Sequence, residues 1–164
     1  MQIFRMSLYE VDNDGIWKGM CLWDLYKKAH TPYQWHEDAF KLAKKLNIIL
    51  FSTPFSIEAV NFLEKLNNPV YKIASFEITD LKLIDYVART KKPIIISTGL
   101  SAISEIKKAI KVIKKYHNNF AVLHCVSGYP TPENETNVNS INYLKKKLNK
   151  TCIGISDHTN DINS

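Results

Sequence analysis

The 164-residue sequence has only five glycines and three cysteines, and it lacks any long apolar run. Its hydrophobic stretches, such as "NIILF" at 47–51 and "PIIIS" at 93–97, fall far short of the roughly 20 residues that span a bilayer. No membrane segment and no signal peptide is expected. No GxGxxG and no GxxxxGK[ST] follows an apolar run, so the usual nucleotide-binding signals are missing. Cys21, Cys125 and Cys152 are odd in number and show no paired spacing. This excludes a disulfide framework and suggests a reducing cytoplasm. The sequons at Asn134 and Asn149 then carry no meaning, because glycosylation needs secretion.

Acidic residues are the minority, 16 against 22 basic ones, for a net charge of +6. The excess lies in lysines at helical spacing, including Lys107, Lys108, Lys111, Lys114, Lys115 and Lys145 to Lys147. That pattern describes solvated helix faces. No aromatic interleaving or nucleic-acid motif accompanies it, so no nucleic-acid partner is expected.

What is present is a repeating strand–helix pattern. Residues 1–30 are irregular, with a turn signal at Asp12 to Gly15 and an aromatic-rich stretch after it. Thr31, Pro32 and Gln34 predict a capped helix start, continued by an apolar stripe of Phe40, Ala43 and Leu46. Then come "NIILFSTP", a helix over 57–66, "VYKIAS", a helix near 81–89, "PIIIST", a helix over about 102–115, "FAVLHCVS", a helix near 139–148, and "CIGISDH". The spacing predicts five short strands separated by four helices. The strands are near-continuous apolar runs, as expected of a parallel sheet covered on both faces. An open doubly wound sheet and a (β/α)₈ barrel both fit.

Each predicted strand ends in polar residues: Ser52 and Thr53; Lys72, Ser75 and Glu77; Ser97, Thr98 and Gly99; His124, Ser127 and Tyr129; Ser156, Asp157 and His158. In parallel α/β folds these ends share one rim, where sites form. Several hydroxyls around a lysine suit a phosphate, which takes many donors and a positive charge. Lys72 is otherwise hard to explain in an apolar strand, because an unpaired buried charge costs several kcal/mol. His124 reads as a satisfied core histidine, whereas His158 could ligate a metal with Asp157 orienting it. Strict alternation sets Lys72 opposite Ser75 and Glu77, so convergence requires a bulge or a strand end between them.

The motifs "FSTPF", "YKIASFEITD", "PIIISTG", "LHCVSGYPTP" and "IGISDHT" resemble, in order and spacing, the sialic acid synthase family across roughly residues 20–160. "LWDLYKKAHTPYQWH" looks more like the pseudaminic acid synthase branch than the N-acetylneuraminate branch. The resemblance implies a (β/α)₈ TIM barrel, here incomplete at about five consecutive βα units, with the C-terminal antifreeze-like domain absent. It implies condensation of phosphoenolpyruvate with an N-acetylated amino sugar, giving a nine-carbon 2-keto acid and phosphate. A divalent metal, Mn²⁺ or Mg²⁺, and a homodimer of full-length chains are implied as well. Carried over by motif, Lys72, Thr53, Ser75, Ser97, Ser127 and Ser156 are expected to bind phosphoenolpyruvate, with Ser127 in place of an Asn found in some members. Glu77 is expected near the reacting carbons, Tyr129 on the sugar side, and His158 as one metal ligand. An acidic residue and a second lysine of the family would precede this chain, and the second metal histidine and a later aspartate would follow it. The isolated chain is therefore expected not to catalyse the condensation. The alternatives are an N-acetylneuraminate or legionaminate synthase, an inactive fragment, and a class I aldolase with Lys72 as Schiff-base former.

Overall fold

The computed structural model describes residues 18–160. The turn signal at Asp12 to Gly15 lies outside these residues. The chain divides into two compact units, 1–46 and 47–164. In the first, helices α1 (Leu22–Ala29) and α2 (Tyr33–Lys45) contain no buried residue. Thr31 does not cap α2. The N-cap position is held by Pro32, which makes no side-chain capping bond.

The second unit alternates helices and strands: α3 (Ile57–Lys65), β1 (Tyr71–Ile73), α4 (Leu81–Arg89), β2 (Ile94–Ser97), α5 (Ile103–Ile113), β3 (Phe120–Cys125), α6 (Ser140–Lys147) and β4 (Cys152–Ser156). Helix starts are set by local chemistry. The Ser56 hydroxyl accepts the Ala59 N–H, the Asp80 carboxylate accepts the N–H groups of Lys82 and Leu83, and Glu105 Oε2 accepts the Ala102 N–H. The four strands form one parallel sheet in the order β1-β2-β3-β4. Consecutive parallel neighbours of this kind belong to a partial (β/α) barrel.

Register and alternation sort the side chains. Tyr71, Ile73, Ile94, Ile96 and Val122 point to one face and are fully buried with Leu83, Ile84 and Val87 of α4 and Ile106, Ala109 and Ile113 of α5. The Tyr71 hydroxyl reaches across to α3, donating to Glu64 Oε1 at 2.6 Å. Lys72, Ile95, Ala121, Leu123 and Ser156 point to the other face and are only half-buried. The expectation of two covered faces is thus met on one side of the described sheet. Apolar Ile95, Ala121 and Leu123 on the second face kept the runs continuous, which hid the difference.

The first predicted strand does not join the sheet. Residues 48–54 form no ladder with β1. In place of ladder bonds, Asn68 joins the two segments by its side chain. Its Oδ1 accepts the Ser52 N–H at 3.1 Å and its Nδ2 donates to the Val70 carbonyl at 2.6 Å. The Asn68 side of both bonds is fully buried, while Ser52 and Val70 are half-buried. Asn68→Ala is expected to destabilise the protein by about 1–3 kcal/mol, because two half-buried backbone groups lose their partner. The urea midpoint measures this, and an unchanged midpoint would refute the bridge.

Candidate active site

Strand alternation places Lys72, Ser97, Cys125 and Ser156 on the same, half-buried face. Lys72 pairs with Ile95, two residues before Ser97; Ser97 pairs with Leu123, two before Cys125; and Cys125 pairs with Ser156. Ser97, Cys125 and Ser156 close their strands, so they stand at the C-terminal rim.

Ser75 reaches this group because β1 stops at Ile73 and a 3₁₀ turn, Ser75–Thr79, begins at Ser75. The required strand end is present, and it re-aims the side chain. The Ser75 hydroxyl accepts the Gly99 N–H at 3.1 Å and lies 3.5 Å from Cys125 Sγ. Gly99 sits between two hydroxyls. A Cβ on it would overlap Ser127 Oγ and lie 3.0 Å from Ser75 Oγ. Ser75, Ser127 and the 97–99 turn are therefore in close contact.

Several of these groups lack partners. Among the described residues, the buried side-chain atoms without a hydrogen bond are Glu77 Oε2, Ser97 Oγ, Ser127 Oγ and His117 Nε2. Three of these four belong to the strand-end set. His117 instead precedes β3, at the opposite end of the strands. An unmet buried polar atom costs about 1–3 kcal/mol, and two of these three lie at the rim with the third in the adjoining turn, a cost that a ligand could offset.

Lys72 has no carboxylate within ion-pair distance among the described residues, Glu77 included. Burial pushes its pKa down, opposed by the nearby Cys125. Burial pushes the Glu77 carboxyl up, helped by the Asp80 charge and opposed by a backbone hydrogen bond. Between the ordinary glutamate value and this raised one, the folded state binds more protons than the unfolded state. Stability from Glu77 is therefore present at low pH and lost as pH rises through the raised value. Glu77→Gln is expected to be more stable than the parent at neutral pH, with the difference vanishing near about pH 4. Urea midpoints at the two pH values test this, and a less stable glutamine variant at neutral pH would contradict it.

His158 lies against the end of β3. Its Nδ1–H donates to the Val126 carbonyl at 2.8 Å, which leaves the Nε2 lone pair as the ligating position. The Tyr129 ring stacks on it with centroids 4.2 Å apart. The Asp157 carboxylate accepts from the Thr159 N–H and hydroxyl, so the Val126 carbonyl orients Nδ1 in the role expected of Asp157. His124 is the satisfied core residue expected, its Nε2–H donating to the Thr136 carbonyl at 2.7 Å. Among the described residues no three His, Cys, Asp or Glu side chains are grouped to hold a metal ion. His158 alone does not make a metal site.

The structure thus brings Ser75, Ser97, Ser127, Tyr129, Ser156 and His158 to one end of the sheet, with Lys72 on the same face and Glu77 in the adjoining turn. Thr53 is half-buried in segment 48–54, outside the sheet, and none of these contacts reaches it. The sequence places Gly99 at the strand end but gives no role to it, and the close approach of two hydroxyls supplies one. Cys125 carries no such signal, since a buried cysteine reads as a small hydrophobe.

The model of the NeuB family matches residues 3–164. Pseudaminic acid synthase from Helicobacter pylori is 45% identical over 145 residues, covering 88% of this chain and 42% of that protein. An N,N'-diacetyllegionaminic acid synthase from Campylobacter jejuni is 38% identical over 141 residues, 84% of this chain and 42% of that protein. The crystal structure of the N-acetylneuraminic acid synthetase of Leptospira borgpetersenii superposes with a TM-score of 0.80 at 34% identity, over 85% of this chain and 48% of that one. The chain spans somewhat under half the length of these relatives.

Proposed function

The chain belongs to the NeuB family, and on that footing we propose that it forms part of a nonulosonic acid synthase of the pseudaminic type. The reaction would join phosphoenolpyruvate to an open-chain N-acetylated amino sugar, giving a nine-carbon 2-keto acid and inorganic phosphate. One observation carries the reading. Among the described residues, Ser97 and Ser127 present buried hydroxyls without a hydrogen bond at the rim of the face that holds Lys72, a lysine with no ion pair. Two donors and a cation suit a dianionic phosphate ester. Relatives at 45% and 40% identity, both pseudaminic acid synthases, support the choice of branch.

The chemistry follows from the substrate. The methylene carbon of phosphoenolpyruvate is nucleophilic because the enol oxygen donates electron density to it. It attacks the sugar aldehyde carbon, which leaves positive charge at C2. Water adds to C2, and the C–O bond to phosphorus-bound oxygen breaks, releasing phosphate and the keto acid. Lys72, Ser97 and Ser127 would hold the phosphate and Ser156 the carboxylate, fixing the methylene at the aldehyde. The added water gives up two protons as its oxygen becomes the keto oxygen: one goes to the new hydroxyl and the other leaves with the phosphate. Glu77, with its pKa lifted by burial, is suited to hold or release a proton at these oxygens. Tyr129 would line the sugar side. His158 would offer one nitrogen to a divalent ion, Mn²⁺ or Mg²⁺, and no step here depends on that ion.

The test is phosphate release by the full-length protein given phosphoenolpyruvate, Mn²⁺ and candidate amino sugars. Release that depends on the sugar is expected. Borohydride trapping of a keto acid on Lys72, with no sugar-dependent phosphate, would overturn the proposal in favour of a Schiff-base aldolase, the reaction that a lysine of lowered pKa would otherwise suit.

A further inference from the structure

The Ser75 hydroxyl has one proton and two lone pairs. A lone pair accepts the Gly99 N–H at 3.1 Å, and the proton faces Cys125 Sγ at 3.5 Å. Ser75 is thereby committed on both sides, while Ser97 and Ser127 keep unpaired hydroxyls beside it. Ser97 is only 2% exposed, so its free donor is held away from solvent. Cys125 is 7% exposed, and its Sγ also lies 4.0 Å from His158 Nδ1. One thiol thus touches both the serine that holds the 97–99 turn and the histidine at the end of β4.

We propose that Cys125 is a positioning residue for the anion site: its sulfur accepts the hydrogen bond of the Ser75 O–H and so fixes Ser75 Oγ as the acceptor that holds the Gly99 N–H. This rests on the anion-binding reading above. Its consequence is a division of labour among the serines. Ser97 and Ser127 donate to the phosphate, whereas Ser75 shapes the turn that aims them. Without the sulfur acceptor, the Ser75 rotor is free to turn its proton elsewhere, and the Gly99 N–H loses a defined partner.

The order of substitutions separates this role from packing. Cys125→Ser keeps an acceptor, whereas Cys125→Ala keeps only the volume near Cβ. In the full-length protein, Cys125→Ala is expected to weaken phosphoenolpyruvate binding about tenfold and to speed Gly99 amide exchange by a similar factor, the usual worth of one hydrogen bond. Cys125→Ser should stay within about threefold of the parent in both. Ser75→Ala should match Cys125→Ala in both readouts, and the double variant should be no worse than Ser75→Ala, because the residues act in series. Amides of Ile94 and Ile96 serve as controls and should not change. Equal binding and equal Gly99 exchange in Cys125→Ala and the parent, or a serine variant worse than the alanine one, would overturn the proposal. A parent that binds neither phosphoenolpyruvate nor inorganic phosphate would defeat the functional reading instead. The Gly99 exchange order would then decide the role of Cys125 by itself.

Discussion

Lys72→Met is expected to lose phosphoenolpyruvate binding by roughly 100-fold while leaving the fold as stable as before or more so. A hydrogen-bonded charge pair contributes about 1.5–3 kcal/mol, and Lys72 is the cation placed on the face of the strand-end serines. Methionine keeps the apolar stem and removes the ammonium. Burial depresses the Lys72 pKa in the folded state, so as pH rises the native protein releases this proton before the unfolded chain does. Stability therefore increases with pH through that window, and below it the charged lysine weighs against the fold. A bound phosphate would favour the charged form and draw a proton back. Affinity for inorganic phosphate is thus expected to fall as pH rises past the depressed value. Calorimetric titration at several pH values, with thermal unfolding of both proteins, measures all of this. Unchanged affinity in Lys72→Met would mean that the lysine only decorates the surface.

Gly99→Ala is expected to be the second severe change, through geometry alone. An added methyl would overlap Ser127 Oγ and crowd Ser75 Oγ at 3.0 Å. Both hydroxyls can rotate about one bond, so relief is available without unfolding the sheet. Each rotation spoils the site. Ser127 loses its aim, and Ser75 loses the Gly99 N–H. Two misplaced polar groups should weaken phosphoenolpyruvate binding by roughly 10- to 100-fold, with a stability loss of about 1–3 kcal/mol from overpacking. Binding and urea unfolding on one preparation separate the two effects. An alanine variant with full affinity would show that Ser127 does not face the ligand.

Helix positions were legible because burial on one side of a helix leaves a period in the sequence. The helix predicted near residues 81–89 is found at Leu81–Arg89, where Leu83, Ile84 and Val87 are buried. Parallel strands were legible too, as short apolar runs ending in polar residues. These are local signals, carried by neighbours in sequence. Whether a strand has a partner is a different matter. "NIILFSTP" has the composition of a strand, yet residues 48–54 meet β1 through the Asn68 side chain and form no ladder. Pairing is decided by backbone groups elsewhere in the chain, which composition does not encode. The site divides the same way. Which residues could bind a phosphate followed from their chemistry at strand ends. How each hydroxyl is used depends on contacts across the sheet: Ser75 meets Gly99 from 24 residues away and Cys125 from 50. Only the packing of separate βα units settles which polar atoms are spent on the protein and which, like the hydroxyls of Ser97 and Ser127, are left without a partner among the described residues. A hydroxyl carries one proton, and the neighbour that takes it is chosen by distance in space.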